Sequence, residues 1–152
     1  MQATDIIEPG SVVLDVDAKS KADLLKLLAR KAGKALGLDA SQIREALSRR
    51  EALGSTGMGG AVAMPHAPID NLTRPFGILA RLRRPLPFDA IDEKPVDIVC
   101  LVLTPTQAAR EHVNAMACVA RRLRLRPVQD AIRRADRAEA MHAALADDVD
   151  QP

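Results

Sequence analysis

Val96-Asp97-Ile98-Val99-Cys100-Leu101-Val102-Leu103 is the most continuous apolar run in the chain, and it constrains the fold more than any other stretch. Apolar and polar residues do not alternate along it, so it suits a central strand covered on both faces. Ser11 to Val16 and Phe76 to Leu82 also read as strands, and Pro85 and Pro87 are expected to break the chain beyond the second. Val62-Ala63-Met64 reads as a short buried strand stopped by Pro65. Ser20 with Asp23 forms a capping pattern ahead of an amphipathic helix whose stripe is Leu25, Leu28, Ala32 and Leu36, ending at Gly37. Asp39 and Gln42 repeat the pattern before a helix with Ile43 and Leu47 facing inward. Thr104-Pro105-Thr106 is expected to open a third helix, with Ala109, His112, Met116, Ala120 and Leu123 on one stripe. Short helical segments come after Pro127, from Val128 to Ala135 and from Ala138 to Ala146. Together these predict one mixed α/β domain over residues 1–152, with helices packed on a four- or five-stranded sheet. At 152 residues and 47% hydrophobic content the chain is long enough to bury such a core.

The densest special chemistry lies in Gly54-Ser55-Thr56-Gly57-Met58-Gly59-Gly60-Ala61-Val62-Ala63-Met64-Pro65-His66. A glycine cluster lets successive amides turn toward one point, which is how a backbone binds an anion such as a phosphoryl group. Pro65 ends the strand without donating a ladder hydrogen bond, so His66 emerges at a strand end beside that loop. The stretch fits neither the dinucleotide G-x-G-x-x-G, nor a nucleotide P-loop, nor the G-x-S-x-G elbow of a serine nucleophile. A lone histidine is by default a structural one, and that alternative stands beside the reactive reading of His66.

Two more side chains converge on this picture. Arg50 is seven residues from Ile43 and three from Leu47, so it projects to the buried side at its helix end while Arg49 points to solvent. An inward arginine calls for an anion, a nearby carboxylate or a helix C-terminal carbonyl. His112 falls on the inward stripe near the start of the next helix; its plain alternative is a core histidine bonded to a backbone carbonyl. Asp89 and Asp92 sit in a loop, where turn capping explains them better than acid–base work.

Arg50-Glu51-Ala52-Leu53-Gly54-Ser55-Thr56-Gly57-Met58 followed by Ala63-Met64-Pro65-His66 resembles the motif of the mannitol/fructose/nitrogen class of enzyme IIA proteins of the bacterial phosphoenolpyruvate phosphotransferase system. The likeness extends to Phe88-Asp89-Ala90-Ile91-Asp92, Pro95-Val96-Asp97 and Glu111-His112, and the overall pattern is closest to the nitrogen-regulatory branch. It implies α/β/α layering, with helices on both faces of the sheet. It also implies that His66 carries a phosphoryl group received from a small histidine-containing phosphocarrier protein, with no cofactor or metal. Arg50 and His112 would then assist transfer, and Ser55, Thr56 and Gly57 would meet the phosphoryl oxygens through amides and hydroxyls. Ala61 stands where the family often has glycine, and Ala67-Pro68 where glycine and a basic residue are frequent.

Composition narrows the function classes. Twenty-two basic against twenty acidic residues leave a formal charge of +2, and aromatics are 1%, so neither an electrostatic footprint for nucleic acid nor a base-stacking platform is present. Arg121 to Arg126 is a basic cluster whose plain reading is a solvated helix end. Cys100 and Cys118 read as small buried hydrophobes, and His142 as a surface or packing residue. No stretch approaches membrane-spanning length and the N-terminus lacks a signal pattern, so a cytoplasmic protein is expected. Three functions compete: a phosphohistidine carrier acting on regulatory target proteins, the same chemistry feeding a separate sugar-transport enzyme IIB, and a non-catalytic module that senses an anion or docks a partner.

Overall fold

The computed structural model describes residues 1–146. In chain order the elements are α1 (Ala3–Ile6), a single 3-10 turn at Pro9–Ser11, β1 (Val12–Val16), α2 (Lys21–Leu36), α3 (Ala40–Leu53), β2 (Gly57–Gly59), β3 (Val62–Ala63), β4 (His66–Ile69), β5 (Phe76–Leu86), β6 (Val96–Pro105), α4 (Ala109–Leu123), α5 (Arg126–Arg134) and α6 (Ala138–Ala144). The strands form one mixed sheet in the order β1-β5-β6-β3-β2, with β4 also on β6. β1 runs parallel to β5, β5 antiparallel to β6, β3 and β4 parallel to β6, and β2 antiparallel to β3.

β6 is the central strand that its composition predicts. Val99, Leu101 and Leu103 enter the core shared with α2 and α3, whereas Ile98, Cys100 and Val102 enter the core shared with α1, α4, α5 and α6. Alternation along the strand therefore feeds two apolar layers, which is why no polar face interrupts the run. The result is the expected α/β/α sandwich.

Among the described residues the sheet has six strands instead of four or five: the glycine stretch Gly57–Gly59 adds β2 at the edge, and Pro65 divides one line of chain into β3 and β4. From the Val62/Ile98 pair to the His66/Val102 pair both chains advance four residues, so β3 and β4 lie in continuous register along β6. Between them the Val102 amide donates to the Pro65 carbonyl at 2.9 Å, while the proline nitrogen has no hydrogen to return.

The helix starts follow their caps. Ser20 Oγ accepts from the Asp23 amide at 3.0 Å, and Gly37 closes α2 in the left-handed region. Asp39 Oδ1 accepts from the Ser41 amide at 2.9 Å. Three expectations need correction. β5 continues through Pro85 to Leu86, because its pairing with β6 is irregular between Arg81 and Leu86 and asks no ladder bond of the proline. Thr104 and Pro105 finish β6, and α4 begins only at Ala109, without a side-chain cap. Pro127 lies in the first turn of α5, where its missing N–H costs nothing. The residues of α4 that are fully inward are Ala115, Cys118, Val119 and Leu123. His112, Met116 and Ala120 flank that stripe and are half-buried. The expected final segment reaches Ala144 as helix.

β2 and β3 form a hairpin over Gly60-Ala61, both at positive φ (65° and 67°), as a two-residue turn matched to strand twist requires. An alanine in that region costs roughly 1–2 kcal/mol. Glycine there would relieve the strain and give back about 0.4–1 kcal/mol through its freer unfolded chain. Ala61→Gly is therefore expected to raise stability by about 0.5–1 kcal/mol, seen as a higher urea midpoint at unchanged slope. A lower midpoint would show that the turn does not carry this strain.

Candidate functional site

Helix α3 packs on the face of the sheet opposite to α4, and its last turn ends beside the β3–β4 junction. Arg50 is half-buried there while Arg49 is exposed, as the 3.6-residue period predicts. Its side chain makes two hydrogen bonds, Nη1 to the Gly54 carbonyl at 2.9 Å and Nε to His66 Nε2 at 3.2 Å. Of the partners expected for an inward arginine, a helix C-terminal carbonyl is found. Among the described residues Arg50 makes no ion pair.

The other ring nitrogen of His66, Nδ1, lies 2.8 Å from the Met64 carbonyl. A carbonyl can only accept, so Nδ1 carries the hydrogen and Nε2 presents its lone pair to the Arg50 N–H. Burial lowers the pKa of His66 most; the Met64 carbonyl opposes this, and Arg50 and His112 add to the lowering. The ring is thereby held neutral, in one tautomer, with the lone pair of Nε2 facing a cation.

His112 stands beside it, the ring centroids 5.6 Å apart and tilted by 54°. Its Nδ1 is hydrogen-bonded to the hydroxyl of Thr104, a fully buried residue at the end of β6. Burial lowers the pKa of His112 too. It is thus not the carbonyl-bonded core histidine of the plain reading: its Nδ1 is tied to a hydroxyl.

The glycine loop is arranged differently from expectation. Thr56 is buried, its amide donating to Glu51 Oε2 at 2.9 Å and its hydroxyl to Glu51 Oε1. Ser55 Oγ donates to the Phe88 carbonyl and accepts from the Gly57 amide at 3.0 Å. The hydroxyls of Ser55 and Thr56 and the amides of Thr56 and Gly57 are all engaged within the protein. Gly57 is required for another reason: a Cβ on it would come within 2.7 Å of the Ala90 Cβ.

Three participants escape the sequence reading. Glu51, adjacent to Arg50, has a side chain only 6% exposed, and its Oε2 also receives Lys21 Nζ at 3.0 Å. Lys21 lies 4.5 Å over the Phe88 ring and 3.6 Å from Asp89. Thr104 is the third; its place at the end of the apolar run is the signal that could have found it. Asp92 caps the loop as expected, its carboxylate taking the Gly60 and Lys94 amides at 3.0 and 3.1 Å, which holds its pKa below the usual carboxylate range.

His66 and Arg50 open into a cleft of about 370 Å³, lined also by Met58, Met64, Met116 and Arg124. Among the described residues no group of three or more His, Cys, Asp or Glu side chains is placed to hold a metal ion. Cys100 is fully buried, which pushes its thiol up to about 12. His142 packs, its Nε2 2.8 Å from the Ile7 carbonyl.

Residues 5–148 match the sequence pattern of the family described as phosphoenolpyruvate-dependent sugar phosphotransferase system, EIIA 2. The chain belongs to this family. A nitrogen regulatory protein of Bradyrhizobium diazoefficiens is 37% identical over 146 residues, covering 96% of this chain and 95% of that one. The crystal structure of the nitrogen regulatory protein IIA-Ntr from Neisseria meningitidis superposes with a TM-score of 0.88 at 30% identity, covering 93% of this chain and 97% of the other. A fructose-specific EIIA component of Haloferax volcanii is 29% identical over 106 residues, 70% of this chain and 69% of that one. No helix among the described residues of this EIIA protein is long and apolar enough to cross a membrane.

The lowered pKa of His66 has a measurable sign. The unfolded chain protonates this ring at about pH 6.5, the folded chain only at lower pH. The stability that the neutral ring confers is full above about 6.5 and is lost as pH falls through the lowered folded value. ¹⁵N NMR at neutral pH should show His66 protonated at Nδ1 alone, with a titration midpoint below that of a free histidine. A midpoint above it would contradict the burial account.

Proposed function

We propose that this EIIA protein is a phosphohistidine carrier that accepts a phosphoryl group on Nε2 of His66 from a histidine-containing phosphocarrier protein and acts mainly as a nitrogen or metabolic regulator. The observation that carries the reading is the pairing of His66: Nδ1–H on the Met64 carbonyl and a lone pair at Nε2, 3.2 Å from a guanidinium, in an open cleft. A neutral imidazole with one nitrogen fixed as donor is the form a histidine nucleophile requires.

In the step itself the Nε2 lone pair forms the new N–P bond as the N–P bond of the donor breaks, and that electron pair stays on the donor's ring nitrogen. The His66 ring keeps its Nδ1 hydrogen, so positive charge develops on it, and the Met64 carbonyl faces that charge. The Arg50 Nε–H, which occupies the lone pair at rest, moves to a phosphoryl oxygen. His112, held through Nδ1 by Thr104, offers Nε2 as a second polar group. Charge on the transferring phosphoryl oxygens is met by donors fixed in advance, the usual source of rate in this chemistry. Ser55, Thr56 and Gly57 give the loop its shape, and the Thr56 and Gly57 amides reach a phosphoryl group only by leaving Glu51 and Ser55 Oγ.

The regulatory role is favoured over sugar transport by the near full-length likeness to nitrogen regulatory proteins, against a likeness over 70% of the chain for the fructose-specific component. The second reading remains a phosphate passed to a separate enzyme IIB. A module that only senses an anion forms no covalent bond, and labelling separates it from both.

Incubation with phosphoenolpyruvate and the upstream carriers should label wild-type protein with an acid-labile, base-stable phosphoramidate that maps to His66. His66→Ala should take no label; undiminished labelling would sink the assignment. Arg50→Ala and His112→Ala should fold and slow transfer by roughly 10²–10³-fold, the range for loss of one transition-state donor. Pull-downs comparing unphosphorylated and phosphorylated protein should recover a regulatory partner from only one state. Lost uptake of one sugar in a deletion strain, with no such partner, would favour the transport reading.

A further inference from the structure

Five hydrogen bonds and one peptide link close a ring around the site. The Thr56 amide and hydroxyl donate to the two carboxylate oxygens of Glu51, the Met64 amide donates to the Thr56 carbonyl at 3.0 Å, and His66 Nδ1 donates to the Met64 carbonyl at 2.8 Å. Arg50 Nε then donates to His66 Nε2 at 3.2 Å, and Arg50 is bonded through the chain to Glu51. Every member of the ring is fixed by the next. Cut at the Glu51 carboxylate, it loses the two bonds that tie Thr56 directly to α3, and the loop is then held to that helix through the Arg50–His66–Met64 path, by the bonds of Gly54 to Arg50 and to the Glu51 backbone carbonyl, and by the chain.

We propose that Glu51 is a positioning residue of this site: its buried carboxylate anchors Thr56, and through the Thr56 and Met64 peptides it sets the tautomer of His66 and the direction of Nε2 toward Arg50. This rests on the phosphoryl-carrier reading for its effect on rate, but not for its effect on the ring.

Three observations carry it. First, a carboxylate with a side chain 6% exposed is costly unless fully paired, and this one takes a backbone N–H, a hydroxyl and an ammonium. Second, its charge is matched by Lys21 and not by Arg50, although Arg50 is its neighbour in sequence. The guanidinium thus keeps its Nε–H for His66. Third, Lys21 stands at the first position of α2 and Thr56 in the glycine loop, so the carboxylate joins α2, α3 and the loop at one point. A group needed only to neutralise Lys21 would not require both Thr56 donors. Bonds made in advance of reaction matter most where a displacement of about 1 Å costs on the order of 10²-fold in rate.

The test compares Glu51→Ala, Glu51→Asp and Glu51→Gln by ¹⁵N NMR of the His66 ring and by the rate of phosphoryl acceptance. Alanine removes the anchor. Aspartate keeps the charge and the Lys21 pair but withdraws the oxygens by one methylene from Thr56. Glutamine keeps the reach, since the Thr56 hydroxyl can turn to accept from its amide. The expected result is a mixture of Nδ1-H and Nε2-H tautomers in Glu51→Ala and Glu51→Asp, with acceptance slowed about 10- to 100-fold at nearly unchanged donor KM. Glu51→Gln should restore the single tautomer and most of the rate. Glu51→Asp serves where Glu51→Ala does not fold. A folded Glu51→Asp that keeps one tautomer and the wild-type rate overturns the proposal, even if its melting temperature falls. If the wild type accepts no phosphoryl group, the carrier reading fails and the tautomer comparison alone decides the role of Glu51.

Discussion

The Pro65 carbonyl accepts the Val102 amide, the proline has no hydrogen to return, and the chain resumes its register on β6 with His66. That pairing decides where everything else at the site must be. Because β3 and β4 stay in register with β6, His66 shares the face of Val102, toward α4, while Ala67 and Ile69 enter the core under α2 and α3. Pro68 is tolerated because β4 pairs on one side only. His66 therefore sits at a strand end on one face, with the last turn of α3 beyond the edge and α4 over it, and side chains from both layers can reach one ring.

The two adjacent charges of α3 divide the electrostatic work. Glu51 is buried and is paired with Lys21, whereas among the described residues Arg50 has only neutral acceptors, the Gly54 carbonyl and an imidazole nitrogen. A carboxylate on Arg50 would have neutralised the cation that faces Nε2. An arginine beside a neutral base is also self-consistent, since the cation adds to the burial that keeps His66 unprotonated.

How much of this could be read in the sequence depends on how local each signal is. The two-faced burial of β6 was legible because a strand covered on both sides needs apolar residues at both parities. Arg50 was legible from helical period and His112 from its stripe, although that stripe lies rotated, with Ala115, Cys118 and Val119 innermost. Ser20, Asp39 and Gly37 marked helix ends through bonds within a few residues. Pro105 misled, since proline before a helical pattern reads as a first turn, yet here it closes a strand. Glu51 was invisible because a Glu at a helix end beside Arg50 reads as solvated charge. Its partners Lys21 and Thr56 lie thirty and five residues away, and only tertiary packing brings them to one carboxylate. The hydroxyls and amides of Ser55, Thr56 and Gly57 were legible as donors, but not as donors already engaged.

The lining of the cleft bears on how such a site would speak to a partner. Three of the five methionines of the chain, Met58, Met64 and Met116, border it, with Arg124 at its rim. Thioether side chains are unbranched and adaptable, so this surface can fit more than one contour without rebuilding the backbone beneath it. If His66 carries a phosphoryl group, about two negative charges enter a cleft whose cations are Arg50 and Arg124. The change is large beside a formal net charge of +2, and it falls on deformable apolar walls held by a rigid sheet. A partner reading this face would thus meet a different potential on nearly the same shape, which is the physical form of a switch that needs no refolding.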